Sequence, residues 1–147
     1  MNRTSWLALV VAVGAISGCA SNADIVDVPL NATPQNAGHT ARASLNPTGD
    51  TTSIYLTTAG LPDHMAVPSR LETEIYAGSC QNLGKAPAYK TDKVEPLNYL
   101  SLAPRTRYGS QAPVALADLT RGDYALLVRT SAADGSRPMF CGDIKAG

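Results

Sequence analysis

Beyond its first twenty residues this chain nowhere sustains a 3.6-residue apolar period, and offers instead short runs in which apolar and polar residues alternate. That pattern predicts strands, with few helices. The ten prolines and twelve glycines are scattered along the 147 residues rather than gathered in a linker, so they read as frequent turns between short segments. The expected class is therefore all-β, with one core. About 130 residues remain once an N-terminal signal is set aside, a common size for a single domain.

Individual runs support this. A first strand is expected around Ile25 to Leu30, inside an otherwise small and polar stretch ending near Gly38. From Thr40 to Leu45, Ala41, Ala43 and Leu45 share one side while Arg42 and Ser44 share the other. Asn46-Pro47-Thr48-Gly49 supplies a turn, and Thr51 to Thr58 follows with Ile54 and Leu56 opposite Ser53 and Tyr55, which together read as a hairpin. Arg70 to Tyr76 is a further strand, with Leu71, Thr73 and Ile75 facing one way and Glu72, Glu74 and Tyr76 the other. Residues 81–112 look irregular, holding Pro87, Pro96 and Pro104, a length of connection that carries function or hides a short strand. Thr120 to Asp123 is a turn leading into Tyr124 to Val128, the clearest buried strand, and Met139 to Ile144 closes the sheet.

The N-terminus carries a different message. Arg3 precedes an apolar run from Trp6 to Ala15, followed by Ile16-Ser17-Gly18-Cys19, which is the charged, apolar and small-residue order of an export signal. A transmembrane anchor needs about 20 apolar residues, more than this run has. The small-small-Cys ending resembles the lipobox of bacterial lipoproteins, whose cysteine is acylated before the signal is removed. The resemblance implies a mature protein that begins at Cys19 and is held in the membrane by several acyl chains, since a single chain binds only marginally. Ala20 follows, where an aspartate in the enteric sorting rule implies inner-membrane retention, so the outer membrane, facing the periplasm, is the expected location. The division is then 1–18 signal, 19–38 lipidated tether and 39–147 folded domain.

With Cys19 acylated, Cys80 and Cys141 remain as an even pair in an oxidising compartment, which favours a disulfide closing a loop of about 60 residues and contributing roughly 4 kcal/mol. The alternative is two free thiols serving as metal ligands or nucleophiles; neither sits in a C-x-x-C pattern. Twelve basic and twelve acidic residues, without a block of one sign, give no support for nucleic-acid binding. No P-loop, dinucleotide-binding glycine pattern or G-x-S-x-G segment is present. Asp118, Asp123, Asp134 and Asp143 are expected at turns, bonding their own backbone.

Five segments taken in order resemble copper/zinc superoxide dismutases and their small secreted or lipidated relatives. They are Ala43 to Gly49 before a Thr-rich strand, Gly60-Leu-Pro62, Ile75 to Cys80, Leu119 to Val128, and Met139-Phe-Cys-Gly-Asp-Ile144. The resemblance spans Thr40 to Ile144 and implies a Greek-key β-sandwich of the dismutase-like or immunoglobulin-like kind, with Cys80 and Cys141 at the family's disulfide positions. The family's His-x-His copper ligands fall on Glu74-Ile75-Tyr76, and a later ligand histidine falls on Arg129. Copper(II) wants several imidazoles, and the chain has only His39 and His64, so no catalytic residue, metal ligand or cofactor is expected from the resemblance. Glu74 and Arg129 are instead expected to pair at the lost metal site.

These readings lead to a non-enzymatic, lipid-anchored envelope protein acting as a binding or structural module. Its expected partners are the membrane, through Cys19, and a protein docked on the 81–112 loop, where Tyr89, Tyr99 and Tyr108 mingle with Lys85, Lys90, Lys93, Arg105 and Arg107; the other reading of that loop is that its tyrosines cover the end of the core. The alternative is a periplasmic metal-binding or redox-protective protein using His64 and Met65 as imidazole and thioether ligands for copper(I).

Overall fold

The computed structural model describes residues 25–61, 70–92, 95–96 and 106–145. Among them are eight strands of seven to nine residues: β1 (Val26–Ala32), β2 (Thr40–Thr48), β3 (Thr51–Ala59), β4 (Leu71–Ser79), β5 (Asn82–Lys90), β7 (Thr106–Ala112), β8 (Tyr124–Thr130) and β9 (Pro138–Ile144). The two-residue β6 (Glu95–Pro96) and one six-residue helix, α1 (Leu116–Arg121), complete the set, with two 3-10 turns at Pro34–Asn36 and Ala132–Asp134. The protein is all-β, as its alternating runs predict.

All pairings are antiparallel, and the strand order is β5-β4-β8-β9-β1-β2-β3-β7-β6. The sheet turns at β1, which divides its partners: Val26 to Leu30 pair with β2, whereas Asn31 and Ala32 pair with β9. The curl brings the two ends of the strand order together. The Thr73 hydroxyl on β4 lies 3.0 Å from that of Ser110 on β7, and the chain leaving β5 is tied to β7 by Asp92 N–H donating to the Gln111 carbonyl at 3.0 Å. Inward side chains from both halves therefore meet in one core. Val28, Leu45, Ile54, Leu56 and Tyr108 come from one half, and Leu71, Ile75, Leu126, Val128, Phe140 and Ile144 from the other. A smaller apolar cluster of Tyr76, Ala125, Leu127 and Cys141 occupies the outward face of β4, β8 and β9, covered by Cys80 and Leu83. Tyr124–Thr130 is thus buried on both faces, which explains its continuous apolar run.

Four expectations need correction. The folded domain begins at Val26, not at residue 39, because Val26, Val28 and Leu30 alternate into the core and β1 lies between β9 and β2; the stretch 19–38 is not all tether. The first hairpin turns at Gly49-Asp50, with φ +62° at Gly49 and none positive at Asp50, the pattern of a two-residue turn opening on glycine. Pro47 consequently lies inside β2 opposite Thr52, beyond the last β1 pairing at Leu45, where its missing N–H interrupts no ladder bond. Residues 81–112 are largely strands β5 and β7 rather than a loop. Finally, Leu116 and Leu119 lie three apart on α1 and both are buried, so the segment before Gly122 is a short helix capping the core rather than only a turn.

Candidate functional site

Two outward surfaces hold the polar side chains that strand register brings together. The first lies on β4 and β8. Glu72 stands opposite Arg129 and Glu74 opposite Leu127, so Glu74 and Arg129 are diagonal neighbours on one face. Arg129 Nε approaches Glu74 Oε2 at 3.1 Å, with the two side chains 28% and 18% exposed. Tyr76, two residues along from Glu74 and only 7% exposed, donates its hydroxyl to the same carboxylate oxygen at 3.0 Å. Arg129 Nη2 donates to that hydroxyl at 3.2 Å and Nη1 to the Ser136 carbonyl at 3.2 Å, while the guanidinium carbon lies 6.0 Å from the Tyr76 ring centroid.

Burial holds the Tyr76 phenol above its ordinary value of 10, and the Glu74 carboxylate that its proton faces pushes the same way; Arg129 opposes both. Chemically the cluster is a set of mutual contacts in which Arg129 Nε meets Glu74 as an ion pair without a hydrogen-bonding angle. A carboxylate takes the guanidinium and the phenol, and the guanidinium ties β4 to β8 and to the turn after it.

Cys80 and Cys141 form a disulfide across 61 residues, with Cα atoms 5.8 Å apart, beside Tyr76 and Leu127 in the small cluster. The Cys80 N–H donates to Asp143 Oδ1 at 2.7 Å, so Asp143 serves the turn between β4 and β5 rather than a turn of its own. Asp118 lies on α1 in an ion pair with Arg121, also away from a turn. The Asp134 carboxylate accepts from Ser131 at 3.1 Å within the 3-10 turn, and the Asp123 carbonyl accepts from Gly78 N–H at 2.9 Å.

The expected aromatic docking loop does not assemble among the described residues. Tyr108 is 1% exposed in the main core, where the pleat of β7 turns it inward, and Tyr89 leans on Tyr124 with ring centroids 5.8 Å apart. Lys85 and Lys90 are exposed on β5, and Arg107 is exposed on β7. Tyr99, Lys93 and Arg105 lie outside the described residues, as do Cys19 with the signal segment, and His64 with Met65. His39 is half-buried before β2, next to Gly60. Among the described residues, no group of three or more His, Cys, Asp or Glu is gathered closely enough to share a metal ion.

The second surface lies on β2, β3 and β7. Arg42, Ser44, Tyr55, Leu56, Thr57 and Arg107 line an open cleft of about 330 Å³, and Tyr55 is 49% exposed. Sequence reasoning placed Arg42 and Tyr55 on outward faces but did not join them, because the rows of this surface connect residues 42, 57 and 107 across three strands. The available signal was limited to the outward alternation of Tyr55 in a Thr-rich strand. Comparison with protein-family models, with curated proteins and with solved structures found no match for this chain.

Proposed function

We propose that this chain is a lipid-anchored, non-enzymatic module of a bacterial cell envelope, held by Cys19 on the periplasmic side of the outer membrane, that binds another macromolecule. The fold it would carry is a Greek-key β-sandwich akin to that of copper/zinc superoxide dismutases. Three features support the sandwich. The connections β3 to β4, β5 to β6 and β7 to β8 each pass from one half of the curled sheet to the other, β1 switches partners midway, and one core lies between the halves.

The observation that carries the reading is the mutual pairing of Glu74, Tyr76 and Arg129. At the positions where the resembling family keeps copper ligands, this chain has a carboxylate, a phenol and a guanidinium that contact one another. A site so arranged fastens strands together, and its carboxylate and phenol oxygens are hard donors that suit a soft cation poorly. Binding then falls to an exposed face of a disulfide-stapled scaffold.

Labelling cells with radioactive palmitate tests the anchor. The wild-type chain should take up label and fractionate with outer membranes, and Cys19→Ser should abolish both; label retained in Cys19→Ser would refute it. Titrating copper and zinc while following thermal unfolding tests the rest. An unchanged melting temperature, with or without chelator, is expected, because only a ligand that prefers the native state raises it. Tight stoichiometric copper would overturn this reading in favour of metal binding through His64 and Met65.

A further inference from the structure

Strands β2 and β3 have both long edges paired over most of their length, and β7 is paired along β3 and, at Tyr108 and Gly109, with β6, so the outward face centred on β3 recognises a ligand through side chains. Register sets two rows on it. Ser44, Tyr55 and Gly109 form one row, and Arg42, Thr57 and Arg107 form the next. Tyr55 is thus flanked across the sheet by a hydroxymethyl group on one side and no side chain on the other. Its ring stands open where a bulky neighbour would have covered it.

The two arginines lie on strands either side of β3, so their Cα atoms are about 10 Å apart, two strand spacings. Both line the cleft that holds Tyr55. Arg42 Nη1 is 3.8 Å from Asp27 Oδ2, with both side chains more than half exposed, a contact worth at most about 1 kcal/mol and easily exchanged for another carboxylate. Arg107 makes no ion pair among the described residues. An aromatic face beside one committed and one uncommitted guanidinium suits a flat ring that carries a single negative charge.

We propose that this cleft binds a carboxylate-bearing sugar residue of an acidic glycan. The pyranose lies against the Tyr55 ring, whose negative face attracts the sugar's C–H bonds. Arg107 takes the carboxylate in a two-pronged hydrogen bond, with Arg42 released from Asp27 to assist. Thr57 supplies a hydroxyl for the sugar's own, and Ser44 Oγ, which donates to Asp27 Oδ1, accepts from one. A peptide adding as a strand is disfavoured, because that mode uses the backbone of a sheet edge and the cleft lies on the outward face over β3, which is paired on both sides. The proposal rests on the binding-module reading and names its partner class.

Isothermal titration of the full chain in detergent with a galacturonate hexamer tests it, with maltohexaose as the neutral control and glucose 6-phosphate as the phosphate control. The uronate should bind and maltohexaose should not. Tyr55→Ala and Arg107→Gln should each weaken binding about tenfold, the scale of one charge-assisted or stacking contact, with the melting temperature unchanged. Asp27→Asn should tighten binding severalfold, since it frees Arg42. Absence of uronate binding, equal binding of maltohexaose, tighter binding of glucose 6-phosphate, or indifference to Tyr55→Ala and Arg107→Gln would each overturn the proposal. None of these results touches the palmitate experiment, so failure of the glycan site and failure of the anchor are separable.

Discussion

Removing Glu74 should cost this protein more than a surface ion pair is worth, and removing Arg129 with it should restore most of the loss. In Glu74→Leu the guanidinium of Arg129 and the hydroxyl of Tyr76 lose the acceptor they share. Exposed pairs contribute about 0–1 kcal/mol, and breaking a fully buried pair costs about 3–5 kcal/mol. With side chains 28% and 18% exposed, this pair falls between those limits, and we expect a loss of about 2 kcal/mol for Glu74→Leu. Arg129→Met should cost a similar amount, since it strands the carboxylate and also frees the Ser136 carbonyl. The double variant leaves no unpaired charge and sets two apolar side chains beside Leu127 and Tyr76, so it should lie within about 1 kcal/mol of wild type. Urea unfolding of the four proteins at pH 7, with a common slope, gives the coupling energy directly, expected at about 3–4 kcal/mol. Single variants that each lose less than about 0.5 kcal/mol, or a double variant equal to their sum, would refute the account of a shared, partly buried acceptor.

Reduction of Cys80–Cys141, or replacement of both by serine, should lower stability by about 4 kcal/mol on the chain-entropy model for a loop of 61 residues, read as a lower urea midpoint. Gly142→Ala should destabilise by more than about 2 kcal/mol in thermal unfolding, because the added Cβ would lie 2.5 Å from the Pro29 carbonyl and 2.7 Å from Val28 Cγ1 on the adjoining β1. Tyr76→Phe should flatten the alkaline limb of stability against pH. The native pKa of Tyr76 is raised, so its contribution is whole below pH 10, where both states hold the proton, and declines as pH rises from 10 through the native value; the variant lacks that decline. Tyr89 is raised as well, chiefly by its hydrogen bond with Tyr124, so a smaller alkaline decline should persist in Tyr76→Phe.

Strands that alternate cleanly were legible in the sequence, and those that do not were missed. The runs around Ala43, Ile54, Ile75, Leu126 and Phe140 announce β2, β3, β4, β8 and β9, because each sends a regular apolar row into the core. β5 sends none. It is the end strand of the order, mostly exposed on both faces, and carries Gly84 and Pro87 where Gly84, Lys85 and Ala86 bulge opposite the single residue Ala77. β7 was hidden for another reason. Its inward row is Tyr108, Ser110 and Ala112, whose only large member reads in isolation as an interface anchor. The same asymmetry governs the polar surfaces. Glu74 and Tyr76 are two apart on one strand, so their sharing of a face follows from the pleat, whereas their approach to Arg129 depends on a register 53 residues away along the chain. The Arg42, Tyr55 and Arg107 cleft needs two such registers at once, and no local pattern encodes either.

The start of β1 also limits where an anchored molecule finds its partner. Asp27 shares a row with Ser44 and Tyr55, and lies eight residue steps from Cys19. Eight extended residues reach at most about 27 Å, and two strand spacings across the sheet add about 10 Å. With Cys19 acylated, as proposed, the Tyr55 cleft is therefore confined to within about 40 Å of the bilayer surface. The Gly49-Asp50 turn, the Cys80 turn and α1 lie at the end of the sheet where β1 begins, and the turns after Ala32 and Thr130 lie at the other. If Cys19 is the anchor, the tether joins the domain at the former end, and the cleft lies on the flank between the two ends. Such a flank meets a glycan running alongside the membrane more readily than one approaching from above.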